Sequence, residues 1–267
     1  MNSKILFRKN LAEEGEFDAA VAAIGKESVI ESRSLIKPGD TVVCRYSALP
    51  YYEELERDVS ILGGSLINSR LQHNYVANFW NWYEDLEEFT PKSYGSLQDL
   101  SSVDGPFVLK GCTNSRKHRW NTHMFAKSYV DAVSVSCNLM DDPFIGEQGI
   151  VFRKYEKLAS YGVGINNLPI SKEFRLFVFN GEVIAKGFYW ANQPEIIEQY
   201  NPNADEIPIN FIDAIINRVG NKINFYVIDI AQKASGEWIV IELNDGQMSG
   251  LSCIDPIEFY KTLRKYI

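Results

Sequence analysis

Two periods of apolar spacing divide the chain. Near the C-terminus, Phe225-Tyr-Val-Ile-Asp-Ile-Ala231 and Trp238-Ile-Val-Ile-Glu-Leu-Asn244 flank a polar turn, Lys233-Ala-Ser-Gly236. Short β-branched and aromatic runs around such a turn predict a β-hairpin. A second hairpin is marked more strongly, because residues 173–179 and 182–190 are joined by Asn180-Gly181, which supplies the positive φ angles of a type I′ turn. Residues 149–155 add a further strand. Helical spacing dominates earlier in the chain, over 17–24, over 52–62 before the Gly63-Gly64 stop, and over 71–86, where Tyr75, Phe79, Trp82 and Leu86 form one stripe. With strands expected at 4–7 and 41–44, the first hundred residues alternate strand and helix and predict a small α/β unit with a partly parallel sheet. The turn-rich segment 90–96 is expected to be a linker, which puts a boundary between an N-terminal domain at 1–95 and a second unit at 104–267.

Composition narrows the class. The chain has 267 residues, 45% hydrophobic and 13% aromatic, enough for a substantial core. A formal net charge of -8 argues against a general nucleic-acid binder. No apolar run is long enough for a membrane span, and the apolar stretch within the first nine residues is too short for a secretory signal, so a cytoplasmic protein with no membrane partner is expected. Cys44, Cys112, Cys137 and Cys253 lack metal-ligand or disulfide-framework spacing.

Chemistry gathers on the strands. Glu242 and Asn244 are two apart and share a strand face, and Asp229 joins them if the hairpin register allows. Burying such acids needs a cation, and oxygen ligands suit Mg²⁺ better than Zn²⁺; otherwise Asp229 ends a strand and the other two face water. Lys110 closes the apolar run 106–110 and leads into Gly111 and a basic loop carrying Arg116, Lys117 and Arg119. That junction suits phosphate binding, although it is no Walker A sequence, and the plainer reading is a solvated basic turn. His118 and His123 lack partners for a zinc site, and His73 reads as structural or surface. Arg175 lies five before Asn180 and Lys186 five after Gly181. Counting outward from the turn sets them opposite each other on one face, a repulsion that a bound anion would relieve. Arg45, at the end of the strand 41–44, is a candidate for a substrate carboxylate or phosphate; the alternative is a surface arginine paired with an acid.

The order of these parts resembles the nucleotide-binding core of the ATP-grasp superfamily over about residues 104–262, preceded by its usual smaller α/β domain. Glu173-Phe-Arg-Leu-Phe-Val and Glu242-Leu-Asn-Asp-Gly-Gln-Met-Ser-Gly250 are similar to the clade named for one arginine and two lysines. The resemblance implies an α/β (α+β) fold and ATP with Mg²⁺ as cofactors. Lys110 would contact the α- and β-phosphates, 111–119 would form a mobile loop over them, and Phe152, Arg153 and Tyr155 would lie beside the adenine. Arg175 and Lys186 would hold the γ-phosphate and then an acyl-phosphate, and Asp229, Glu242 and Asn244 one or two Mg²⁺. The implied activity joins a small-molecule or peptide carboxylate to an amine, with acceptor placement expected around 244–252. A phosphotransferase on the same scaffold and a non-catalytic nucleotide-binding module are the alternatives.

Overall fold

The computed structural model describes residues 3–8, 11 and 13–267. Met1, Asn2 and Lys9, part of the stretch too short for a signal, lie outside them. No helix among the described residues is long and apolar enough to cross a membrane.

The N-terminal part runs β1 (Ser3–Phe7), α1 (Glu16–Ile24), β2 (Val29–Ile30), β3 (Thr41–Arg45), α2 (Tyr52–Ile61) and β4 (Ser65–Leu66). Its four strands stand in the order β2-β1-β3-β4, every pair parallel. Both faces are covered, as a parallel sheet requires. Ile5, Phe7 and Val43 pack with α1, while Leu6, Val42 and Cys44 pack with Leu55 and Val59 of α2.

The single helix expected over 71–86 is two, α3 (Arg70–Ala77) and α4 (Phe79–Leu86). Asn78 leaves the helical region and its side chain accepts a hydrogen bond from Trp80 N at 3.0 Å, so it caps α4 as short polar residues do. The freed Phe79 N–H donates to the Cys112 carbonyl at 2.9 Å. Phe79, Trp82 and Leu86 still form the expected buried stripe.

Next come β5 (Ser93–Tyr94), β6 (Phe107–Gly111), β7 (Phe125–Ala126), α5 (Tyr129–Met140) and β8 (Ile150–Lys154), which form an antiparallel sheet in the order β5-β8-β6-β7. The segment 90–96, expected as a linker, therefore contributes a strand. Thr90 is buried as well, its hydroxyl donating to the Val240 carbonyl at 2.8 Å.

The rest of the chain supplies β9 (Ser160–Val163), β10 (Pro169–Ser171), β11 (Glu173–Phe179), β12 (Glu182–Phe188), α6 (Pro194–Tyr200), α7 (Ile209–Val219), β13 (Phe225–Gln232), β14 (Trp238–Asp245) and α8 (Pro256–Leu263). β9 and β10 form a small flap, and β12-β11-β13-β14 form an antiparallel sheet that contains both expected hairpins. Phe174, Leu176, Phe188, Ile228, Ile230, Val240 and Leu243 meet the apolar sides of α3, α4 and α7 on one face. On the other face Phe177, Phe179 and Phe225 pack with Phe259 of α8, and the charged residues occupy the remaining end.

Candidate active site

Register brings the charges together. Arg175 pairs with Asp229, Asp229 with Glu242, and Val227 with Asn244, so these side chains share one sheet face. Glu173, two before Arg175, joins them; it was missed in the sequence, although the same alternation that marked Arg175 marks it too. Arg175 grips Asp229 with two parallel bonds, Nε to Oδ1 and Nη2 to Oδ2, each 2.9 Å, and its Nη1 donates to the Gly250 carbonyl at 2.9 Å. Across the cleft Lys110 Nζ donates to Glu242 Oε1. Burial alone would raise the Glu242 carboxyl, but the charge and hydrogen bond of Lys110 outweigh it, with help from the Asn244 side chain, and hold it at about 2. Burial pulls the Lys110 ammonium below its ordinary value; Glu242 works against this and Arg153 with it.

Between this sheet and the β6–β8 sheet lies a cleft enclosing about 810 Å³ of empty space, part of it open to solvent. Lys110 and Arg153 line it from the same face of β6 and β8, since Val108, two before Lys110, is the register partner of Arg153. Both cations stand over the ring of Phe79, at 5.5 and 5.3 Å. Arg153 donates to the Ile241 carbonyl at 2.7 Å and to Thr90 Oγ1 at 2.6 Å, while its buried Nε has no partner among the described residues. Burial lowers this guanidinium to about 10. The loop after β6 forms the rim. Its Lys117 sits 3.9 Å from the Tyr189 ring centre and 3.4 Å from Glu173 Oε1. Arg175 stacks on the same Tyr189 ring at 4.9 Å, so the two cations share one aromatic partner. Burial pushes the Glu173 carboxyl up, and Lys117 offsets only part of this. The flap closes the other side of the mouth: Asn166 Nδ2 donates to the His118 carbonyl at 2.7 Å.

An antiparallel sheet carrying a row of acids and cations thus faces a second sheet that holds a lysine and an arginine, with a cleft between them. A family model described as an ATP-grasp domain, family 3 of the clade named for one arginine and two lysines, matches residues 95–263, more than half of the chain. The chain belongs to this ATP-grasp family. The RimK domain protein ATP-grasp from Sphaerobacter thermophilus DSM 20745 shares 12% identity at a TM-score of 0.62, covering 99% of each chain. D-cycloserine synthetase DcsG shares 14% identity at a TM-score of 0.62, covering 98% of this chain and 99% of that one. The ATP-grasp ligase PsnB, solved with a phosphomimetic variant of its minimal precursor, Mg and ADP, shares 12% at 0.58, covering 100% and 99%. Likeness at such identities shows the fold alone. No curated protein sequence matches the chain.

Within this ATP-grasp frame the expected site residues separate. Lys110, Lys117, Arg153, Tyr155 and Glu242 line the cleft. Phe152 does not: alternation sends it to the far face of β8, into the core beneath α5 with Leu109 and Leu139. Arg116 forms a bidentate pair with Asp142, at 2.6 and 2.5 Å, that pins the loop to the end of α5. Arg119 lies beside the partly exposed His123 and does not line the cleft. Lys186 departs furthest from its expected place. A bulge between Phe177 and Val178 shifts the register by one, so Arg175 pairs with Gly187 and Lys186 with Leu176. One residue of slip turns Lys186 to the opposite face, where it meets Asp205 at 2.6 Å. Arg45 is buried rather than at the surface, and it holds Glu16, Tyr260 and the carbonyls of Gly246 and Gln247. Residues 245, 247, 249 and 251, expected near an acceptor, are buried. Their partners are other buried residues.

Proposed function

We propose that this ATP-grasp protein is an ATP-dependent carboxylate–amine ligase acting through an acyl-phosphate. The observation that carries the reading is the set of ion pairs around the cleft, the buried Arg175 with Asp229 and the partly buried Lys110 with Glu242 and Lys117 with Glu173, next to an arginine whose Nε is buried without a partner among the described residues. Cations that hold one another's acids are positioned to exchange those acids for phosphate oxygens, and an orphaned guanidinium N–H is costly unless an anion reaches it.

Asp229 and Glu242 are direct register partners and Asn244 shares their face, which gives two carboxylates and one amide oxygen. This donor set fits Mg²⁺. No cluster of three or more His, Cys, Asp or Glu competes with it among the described residues. Magnesium bound there supplies positive charge against the transferring phosphoryl oxygens. Lys110 and Arg153 hold the inner phosphates. Arg175 and Lys117, which share the Tyr189 ring, hold the outer one, so Lys117 takes the place expected of Lys186. The substrate carboxylate oxygen attacks the γ-phosphorus; the bond to the β,γ-bridging oxygen breaks and ADP leaves with that electron pair. The amine nitrogen then attacks the acyl carbon, the C–O bond to phosphate breaks, and phosphate leaves as the nitrogen gives up a proton. Positioning and charge do most of this work, and the loop and flap exclude water. PsnB, solved with a precursor, Mg and ADP, indicates that peptides should be tested beside small acids.

The test is an ADP-release screen with Mg²⁺, pairing acids and peptides with amines, followed by mass spectrometry and by hydroxylamine trapping of the activated acid. A hydroxamate without amine and an amide with it are expected. A stable phosphorylated product that hydroxylamine cannot trap would make the protein a phosphotransferase, and nucleotide binding without ADP release from any pair would make it a binding module.

A further inference from the structure

The N-terminal part meets the catalytic sheet through a buried polar joint, and that joint is centred on the end of β14 that carries Asn244. Asp245, the next residue, is 4% exposed. Its Oδ2 accepts from His73 Nδ1 at 2.9 Å, and its Oδ1 accepts from Asn68 Nδ2 and from Gln247 N, each at 2.9 Å. Asn68 also pairs with the start of β13: its Nδ2 donates to the Phe225 carbonyl at 2.7 Å and its Oδ1 accepts from Phe225 N at 2.9 Å. One residue thus grips both strands of the hairpin at the same end, where Tyr226 and Asp245 are register partners. Gln247 is fully buried; its Oε1 accepts from Cys44 N at 3.2 Å and its Nε2 donates to Tyr52 Oη at 2.8 Å. The His73 ring lies flat on Tyr52, centres 3.9 Å apart and planes 3° apart. Its Nε2 has no partner among the described residues, so Asp245 takes the ring's one hydrogen bond. Arg45 adds the last grip, through Nη1 on the Gly246 carbonyl at 2.7 Å.

We infer that this joint is the positioning device for Asn244, with His73 its principal positioning residue. The inference rests on the reading of Asn244 as a metal ligand. Successive residues of a strand face opposite ways, so a carboxylate fixed from below at 245 fixes the direction of the amide above it at 244. Asp229 and Glu242 are each held by a cation, Arg175 and Lys110, whereas the neutral Asn244 amide has only the Glu242 carboxylate as a side-chain partner, so it depends more on the backbone beneath it.

Two substitutions at His73 separate donor from ring. H73F keeps the ring on Tyr52 and removes the donor; H73N removes the ring and keeps an N–H donor close to the Nδ1 position. The measurement is Mn²⁺ affinity of the full chain with a non-hydrolysable ATP analogue, by electron paramagnetic resonance of free Mn²⁺, beside the analogue's metal-free affinity by calorimetry. H73F is expected to weaken Mn²⁺ binding about tenfold, the usual size of an outer-shell effect on a metal site, with metal-free affinity unchanged, and H73N to recover most of the loss. Wild-type Mn²⁺ affinity in a folded H73F, or equal losses in H73F and H73N, would reduce the joint to packing. If H73F does not fold, R45K serves in its place: it keeps charge beside Glu16 and gives up the fork onto the carbonyls, and unchanged Mn²⁺ affinity there overturns the inference. N244A calibrates the underlying reading. Unchanged Mn²⁺ affinity in N244A removes Asn244 from the ligand set, whereas a loss in N244A with none in H73F removes only the positioning role.

Discussion

The two faces of the β12-β11-β13-β14 sheet are built from the same strands and do opposite things. Leu176 and Ile228 on one face are fully buried among apolar side chains under the helices. Arg175 and Asp229, each the chain neighbour of one of them, are almost as buried on the other face and are held by charge. The apolar face gains stability from area removed from water. Ion pairs at such depth return little net stability once desolvation is counted, so the charged face is better explained by what it can bind.

Substitutions that cross this division test it. The largest effect is expected for Glu242→Gln, which removes a carboxylate from the charged face: Mg²⁺-dependent ADP release should fall on the order of a hundredfold or more. A variant with wild-type turnover would return Glu242 to a purely structural role. Leu176→Ala should do the reverse and lower unfolding stability by about 2–5 kcal/mol in denaturant titrations, with nucleotide affinity kept; a selective loss of affinity would blur the two faces. Acidity offers a smaller effect. The folded Glu242 carboxyl lies at about 2, below its ordinary value of 4.5, so its contribution is present above pH 4.5 and lost as pH falls toward 2. The melting-temperature advantage of wild type over Glu242→Gln should therefore shrink across that window, and a constant gap would contradict the Lys110–Glu242 pair. The smallest effect belongs to Lys186→Met. Its half-exposed pair with Asp205 is worth about 0–1 kcal/mol, so turnover and melting temperature should hardly move. A large loss of turnover would put Lys186 back on the charged face.

What the sequence disclosed about these faces followed from local rules. Alternation and the Asn180-Gly181 turn predicted both hairpins, and the same alternation set Glu242 beside Asn244. The place of Lys186 was hidden because the count from the turn assumes an unbroken ladder, and no glycine or proline marks the bulge between Phe177 and Val178. Arg45 was hidden for another reason: its partners Glu16, Gly246 and Tyr260 lie 29, 201 and 215 residues away. The helix break carried a legible signal. Asn78 is a good cap residue, and the regular spacing of Tyr75, Phe79 and Trp82 masked it. The strand at Ser93–Tyr94 is short and sits among turn-forming residues, so only its pairing with β8 reveals it.

The joint around Asp245 also bears on how the molecule can move. An apolar contact between two bodies lets them slide with little change in energy, but a joint of buried hydrogen bonds does not. Each bond pulled apart without a new partner costs about 1–3 kcal/mol, and a rotation of the N-terminal part about β14 would strain together those of Gln247 to Cys44 and Tyr52 and that of Arg45 to the Gly246 carbonyl. Such a hinge is locked. Flap and loop are tied to each other more lightly, meeting through the exposed bond from Asn166 to the His118 carbonyl. That contact between flap and loop can part at far smaller cost than the joint at β14 can turn.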